Sequence, residues 1–359
     1  MSAARSVAGR ARCELRARWL RSVAALALLG APVRAPGQPF HLPTANRALF
    51  ESGGGERFLV GTTGKPWTSG GFGCVRSDGR QFHEGLDIRS VERDRHGEPL
   101  DPVLATADGV VAYINRRPSL SNYGNYIVLG HRVHGLEVYS LYAHLREVSA
   151  GLKPGHPVTA GQALGVMGRT ANTREGISRE RAHVHFELDL LVNERFEAWF
   201  RHRFPKQRND HGVWNGQNLV GLDPQQVFLE QRRLGARFNL LRLVQNQTEL
   251  CRVFVRATQF PWLRRYAALV RSNPRAEREG VAGYEVALTF NGLPFELIPR
   301  SAAEVGGGRE AASKGSRFLL LSVNEAEAGR NPCGKLVTRR GGRWELTWQG
   351  QLALERLTY

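Results

Sequence analysis

The chain has 359 residues, a formal net charge of +17, 42% hydrophobic residues and 40 glycines. That length allows two domains of ordinary size with a buried core, and the glycine content suits a loop-rich β protein. Beyond the first 37 residues no stretch is apolar for long enough to cross a bilayer, and no basic run is interleaved with aromatics, which sets nucleic acid aside as a partner.

Residues 1–37 read as a signal peptide: an arginine-rich start, the short apolar run "VAALALLGAPV", then small residues around Ala35 and Gly37. The expectation is an exported protein of the periplasm or cell envelope, touching membrane only through this segment. The segment holds seven arginines and one glutamate, a net +6, which leaves +11 spread thinly over the remainder. A basic export product suits an anionic polymer or surface such as a cell wall. Cys74, Cys251 and Cys333 remain after cleavage without CxxC spacing, so a thiolate metal cluster is not expected. The expected pairing is Cys251 with Cys333, leaving Cys74 free.

Residues 38–60 read as an extended lead-in, broken at "SGGGE". From 61 to 192 short β-runs such as "DPVLATADGVVAYI", "GNYIVLGHRV", "LEVYSLYAHL" and "HVHFELDLLV" alternate with Gly, Pro, Asn and Asp, the pattern of an antiparallel β domain. Residues 193–224 begin as a short helix and continue as a loop, closing a first domain (61–224). Residues 225–359 read as a second β-rich domain of unknown role, with strands in "LCRVFVRATQF", "YEVALTFNGLPFELI", "RFLLLSVNEA" and "GRWELTWQGQLALERL" and a flexible loop in "SAAEVGGGREAASKGS". It contains no histidine, since the last of the eleven is His211.

The chemistry concentrates in three places. In "RAHVHFELDLL" strand alternation puts Val184, Phe186, Leu188 and Leu190 on one face and His183, His185, Glu187 and Asp189 on the other. Two imidazoles on one face, roughly 6 to 7 Å apart at Cα, suit convergence on one metal ion and its water. In "FHEGLDI" a straight strand would hold His83 and Asp87 about 13 Å apart, but a bend at Gly85 brings both to one ion. In "SLYAHLR" His144 shares a strand face with Tyr142. Catalytic zinc takes three protein ligands and keeps one position for solvent. His83, Asp87 and one histidine of the HxH pair make such a set, with the other and His144 left for proton handling. Glu187 follows on the same face, as an outer partner or facing solvent. His96, His131, His134, His156, His202 and His211 are expected to be solvated, with His134 and His211 the candidates to depart from that.

The order HxxxD, YxHL, HxH-FEL resembles the lysostaphin-type (LytM-type) zinc metalloendopeptidases, which cut peptide bridges of bacterial peptidoglycan. "ATADGVVAYI", "YGNYIVLGH" and "LKPGHPVTAGQALGVMG" extend the resemblance over about residues 61–192. It implies a mainly β, antiparallel metallopeptidase domain of the duplicated-hybrid-motif kind, one zinc ion per chain on His83, Asp87 and His185, His183 as general base, and His144 as its assistant. The substrate implied is a peptide, most directly peptidoglycan cross-bridges or stems. A non-catalytic wall-binding protein, or an activator of wall hydrolases, on the same scaffold is the alternative. The sequence departs from the family's pattern where Arg181 and Ala182 precede the HxH pair, and "VERDRHGEPLD" and "RTANTREGISRER" are long inserts expected to alter the groove walls.

Overall fold

The computed structural model describes residues 39–306 and 316–359. The expected signal peptide and most of the expected flexible loop lie outside the described residues. The first part of the chain supplies strands β1 (Gly73–Arg76), β2 (Gln81–His83), β3 (Leu86–Arg89), β4 (Pro102–Leu104), β5 (Gly109–Asn115), β6 (Tyr126–Val133), β7 (Leu136–Ala143), β8 (Glu147–Val148), β9 (Pro157–Val158), β10 (Ala163–Val166), β11 (His183–Leu191) and β12 (Leu219–Leu222). The main sheet has the order β12-β11-β7-β6-β5-β9, and the strands pair antiparallel throughout. β4-β10-β8 form a small second sheet, and β1-β2 a hairpin.

β11 is the axis of this arrangement. One of its edges pairs with β7. The other is shared: His183–Phe186 lie opposite β3, and Leu188–Leu191 opposite β12. All nine residues of β11 are buried. Val184, Phe186, Leu188 and Leu190 enter the main apolar core, where Phe186 stacks on Phe228 at a centroid distance of 5.9 Å. Phe228 belongs to the helix Pro224–Leu234. Asp223 caps that helix by accepting from Gln225 N, Pro224 occupies its first turn, and Gly235 ends it at φ 56°. Each is the residue type that its position favours.

The lead-in is less extended than its sequence reads. It contains helical turns at Ala48–Phe50 and Gly55–Phe58, and Phe40, Leu42, Phe58 and Leu59 are buried in the core. Phe40 is fixed through its backbone, with N donating to Gln231 Oε1 (2.9 Å) and O accepting from Gln231 Nε2 (2.7 Å).

The later part builds a four-stranded antiparallel sheet of order β15-β14-β13-β16 from β13 (Cys251–Val255), β14 (Val281–Leu288), β15 (Pro294–Ser301) and β16 (Phe318–Val323), with a hairpin of β17 (Val337–Arg340) and β18 (Arg343–Leu346). Helices intervene where only strands were expected, at Pro224–Leu234, Leu240–Gln245 and Trp348–Leu357. "GRWELTWQGQLALERL" is therefore split. Thr347 ends the strand and caps the final helix, accepting from Gly350 N at 3.0 Å. The same apolar cluster that holds Phe186 and Phe228 also holds Val253, Val286 and Leu297 of this second sheet.

The cysteine pairing differs from expectation. The disulfide is Cys74–Cys333, with Cα atoms 5.3 Å apart, and Cys251 is free. Cys251 starts β13, paired on both sides by β14 and β16 and fully buried, so it has no room to meet a partner. Burial pushes its thiol up to about 12, which makes it inert. His131 also departs from expectation. It lies on β6, 4% exposed, with its two ring nitrogens hydrogen-bonded to Asp108 O and Ser140 Oγ. His96, His134, His156 and His202 are exposed.

Candidate metal centre

Three elements converge on one point. Asp87 on β3 stands directly across from His185 on β11. His83 ends β2, and the chain turns at Gly85 before entering β3. A Cβ on Gly85 would sit 2.2 Å from Phe186 O, so only glycine lets this bend lie against β11. Antiparallel register and one tight turn thus place His83, Asp87 and His185 together, their ligand atoms within 4.8 Å of one another.

The distances are closer than that limit. Asp87 Oδ1 lies 3.2 Å from His83 Nε2 and 3.0 Å from His185 Nδ1, and the two imidazole nitrogens are 3.0 Å apart. Ligands about 2.0 to 2.1 Å from one tetrahedral ion stand roughly 3.3 Å apart. The donor set, two imidazoles and one carboxylate, fits zinc.

Hydrogen bonds on the outer side fix which nitrogen faces inward. His83 Nδ1–H donates to Gly71 O (2.6 Å), so Nε2 carries the lone pair. His185 Nε2–H donates to Glu187 Oε1 (2.7 Å), leaving Nδ1 inward. His183 Nδ1–H donates to Arg181 O (2.6 Å), and its Nε2 stands 3.4 Å from Asp87 Oδ1. His144 Nδ1–H donates to Thr170 O (2.8 Å), and its ring centroid is 4.9 Å from that of His183. His144 has φ 62°, a conformation that costs an L-residue about 1–2 kcal/mol. This kink at the end of β7 is what turns its ring toward His183.

Glu187 and Asp189 do not face solvent; both are 1% exposed. Burial raises the Glu187 carboxyl, but the His185 ring outweighs it and holds it below its ordinary value. Both Asp189 oxygens lack an ordinary hydrogen-bond donor. Burial and the adjacent Glu187 carboxylate drive Asp189 well above the carboxylate range, which favours its neutral form. Burial likewise opposes charge on His185, yet Asp87 and Glu187 on its two sides push it up to about 10. Burial, then the neighbouring His183 and His185 rings, keep His144 well below its ordinary value and therefore neutral.

Arg76 was not singled out in the sequence. Its Nη2 donates to Asp87 Oδ2 (2.6 Å) and to His83 Nε2 (2.7 Å), and its Nε to Ser69 O (3.1 Å). By holding Oδ2 it aims Oδ1 at the histidines. One lone pair on His83 Nε2 cannot serve both Arg76 and an ion, so the Asp87 contact is the one that persists in a loaded site.

The centre opens into a cleft of about 920 Å³, lined on its walls by Tyr123, Tyr126, His211, Arg76 and Arg181. His211 is half-buried and bonded to Tyr113 and Leu120 O. The insert after Arg169 lines the cleft through Ala171–Ile177. The insert at 91–101 buttresses it instead: Glu98 pairs with Arg169 and Arg179, and Arg93 holds Arg179 O.

Residues 81–195 match the model of Peptidase family M23. All five candidate residues fall inside the match, in agreement with the resemblance carried by the motifs. Solved structures similar to this chain include one from Ruminococcus gnavus ATCC 29149 assigned as a glycyl-glycine endopeptidase LytM (34% identity, over 30% of this chain and 39% of that one, TM-score 0.23). A second is the catalytic domain of the antimicrobial peptidase lysostaphin from Staphylococcus simulans (21% identity, 43% and 85%, TM-score 0.26). TM-scores of this size carry no weight. The chain spans 39% of the length of the first of these structures. No curated protein matches the chain.

Proposed function

We propose that this protein is a zinc-dependent endopeptidase of the cell envelope acting on peptidoglycan peptides. The observation that carries the reading is the convergence of His83 Nε2, Asp87 Oδ1 and His185 Nδ1, with His183 and His144 beside them, each anchored through Nδ1. The M23 match over 81–195 supports the reaction class.

In this reading His83, Asp87 and His185 hold one zinc ion, which supplies Lewis acidity to the scissile carbonyl and acidifies water toward neutral pH. His183 takes the water proton on Nε2 and returns it to the leaving amine; Arg181 O fixes its tautomer. His144, kept neutral by burial, steadies the water or the developing oxyanion. Tyr123 and Tyr126 form the wall that shields this exchange from bulk solvent.

The test uses protein lacking residues 1–37, purified and analysed for zinc, then incubated with peptidoglycan while new amino termini are counted. One zinc per chain and new termini are expected. His183→Ala should keep the metal and lose about 10²- to 10⁴-fold in rate, the usual size of positioned base catalysis. His185→Ala should lose the metal. Stoichiometric zinc without new termini would favour a wall-binding protein instead.

A further inference from the structure

The cleft carries a half-buried guanidinium that the proposed hydrolysis does not use, a second that holds Asp87, and an exposed third on Arg174. Arg181 stands at its edge, half-buried. Its Nε donates to Gly61 O (2.7 Å) and its Nη1 reaches Thr63 Oγ1 at 3.4 Å. These are neutral partners, and among the described residues no carboxylate forms an ion pair with it. Arg76 is the second, with side-chain exposure of 22% and one Nη committed to Asp87. The two are near enough to repel: burial first, then Arg76, lowers the Arg181 pKa, while Asp87 opposes both. Two further carboxylates line the cleft: Glu84 feels Glu187, His185 and Arg76, Glu175 is exposed, and neither pairs with Arg181.

A half-buried guanidinium without an anion is a costly arrangement, and a charge-assisted bond from a planar fork to a carboxylate relieves it. A dication on His83, Asp87 and His185, with Arg76, Arg174 and Arg181, gives five positive charges against four from Asp87, Glu84, Glu175 and Glu187, so the loaded cleft keeps a positive excess that attracts anions. Arg181 also supplies the carbonyl that orients His183, so anything bound to its guanidinium lies beside the proposed base.

We infer that the cleft selects anionic peptides, with a substrate carboxylate seated on the Arg181 guanidinium and Arg76 adding charge behind it. This rests on the proposed peptidase reading for its consequence in turnover, but the binding itself stands apart from it. The test is calorimetric titration of the protein lacking residues 1–37, zinc-free and zinc-loaded, with acetyl-trialanine bearing a free C-terminal carboxylate and with its C-terminal amide. The wild type should bind the carboxylate roughly tenfold tighter than the amide with or without zinc. Arg181→Ala should abolish that preference while zinc content stays unchanged, and Arg181→Lys should keep most of it. Equal binding of the two peptides by the wild type would overturn the inference even if Arg181→Ala fails to fold. A preference that needs zinc, or that survives in Arg181→Ala, would assign the carboxylate to the metal and overturn it too. Failure to cleave peptidoglycan alongside an intact Arg181-dependent preference would sink the peptidase reading and leave this one standing.

Discussion

At the scale of single residues, the centre is governed by what lies behind each imidazole. Glu187 accepts from His185 Nε2–H and thereby commits Nδ1 to the interior. Outer partners of this kind are worth about 10- to 100-fold in metal affinity, so Glu187→Gln should weaken zinc binding by that factor in competition with a chelator while His185 itself is intact. The neutral Asp189 leads to a contrasting expectation. Asp189→Asn keeps a neutral polar group of the same size beside Glu187 and should be tolerated, whereas Asp189→Leu sets an apolar side chain against the buried Glu187 carboxylate and should lower both stability and zinc affinity. His131 supplies a pH signature. Burial lowers its pKa from the ordinary 6.5. Between the two values the unfolded chain binds a proton that the folded chain refuses, so stability declines as pH falls below about 6.5 and is full above it. Denaturant midpoints at pH 5 and 7.5 should show this, with a shallower difference in His131→Gln.

At the scale of elements, one glycine sets the relation between two ligands. Gly85→Ala would drive a methyl into Phe186 O, and relief requires the start of β3, which pairs with Phe186 through Leu86, to move away from β11. Zinc stoichiometry should fall together with stability, by about 1–3 kcal/mol, in elemental analysis and thermal unfolding. This bend was legible from HxxxD with glycine between, because no straight strand can bring those two side chains together. The face carrying His183, His185, Glu187 and Asp189 was legible from alternation alone. Its burial was not, since a polar face reads as solvated until the covering Tyr123 and the cross-strand Asp87 are known. Arg76 escaped because nothing in "CVRSDGR" spaces it against a ligand; its role comes from the hairpin folding back. The helices at 224–234 and 348–357 carried readable caps in Asp223-Pro224, Gly235 and Thr347, but apolar residues dense enough for either period hid them. His131 escaped because a lone strand histidine beside Arg132 reads as solvated, whereas its ring is buried on β6 against Ser140 and Asp108 O.

At the scale of the whole molecule, the two sheets are bound into each other. Leu191 N donates to Tyr266 Oη (2.9 Å), Asn291 Nδ2 to Gly221 O (2.8 Å), and Asn193 Nδ2 to Arg356 O (2.6 Å). Phe72 and Phe82, flanking and within the β1-β2 hairpin, pack edge-on against Phe290 of the turn between β14 and β15 at 6.4 and 5.7 Å. The later sheet thus braces the hairpin that carries His83 and Arg76. Removing residues 225–359 should therefore cost zinc binding as well as solubility, measured on the truncated chain by elemental analysis. Retention of full zinc affinity by that fragment would show that the brace is dispensable.

The bond between Cys74 and Cys333 makes that brace conditional on the surroundings. Cys333 is 259 positions after Cys74, so the cross-link can close only after the strands of both sheets have been made. A cross-link of that span commonly adds about 2–4 kcal/mol, and Cys74→Ser should lower the unfolding free energy by that amount and raise the chelator sensitivity of the bound ion. Newly synthesised chains bathed in reductant would keep a slack hairpin and a poorly armed blade. The braced geometry of the three candidate ligands would then mature only where an oxidant is present.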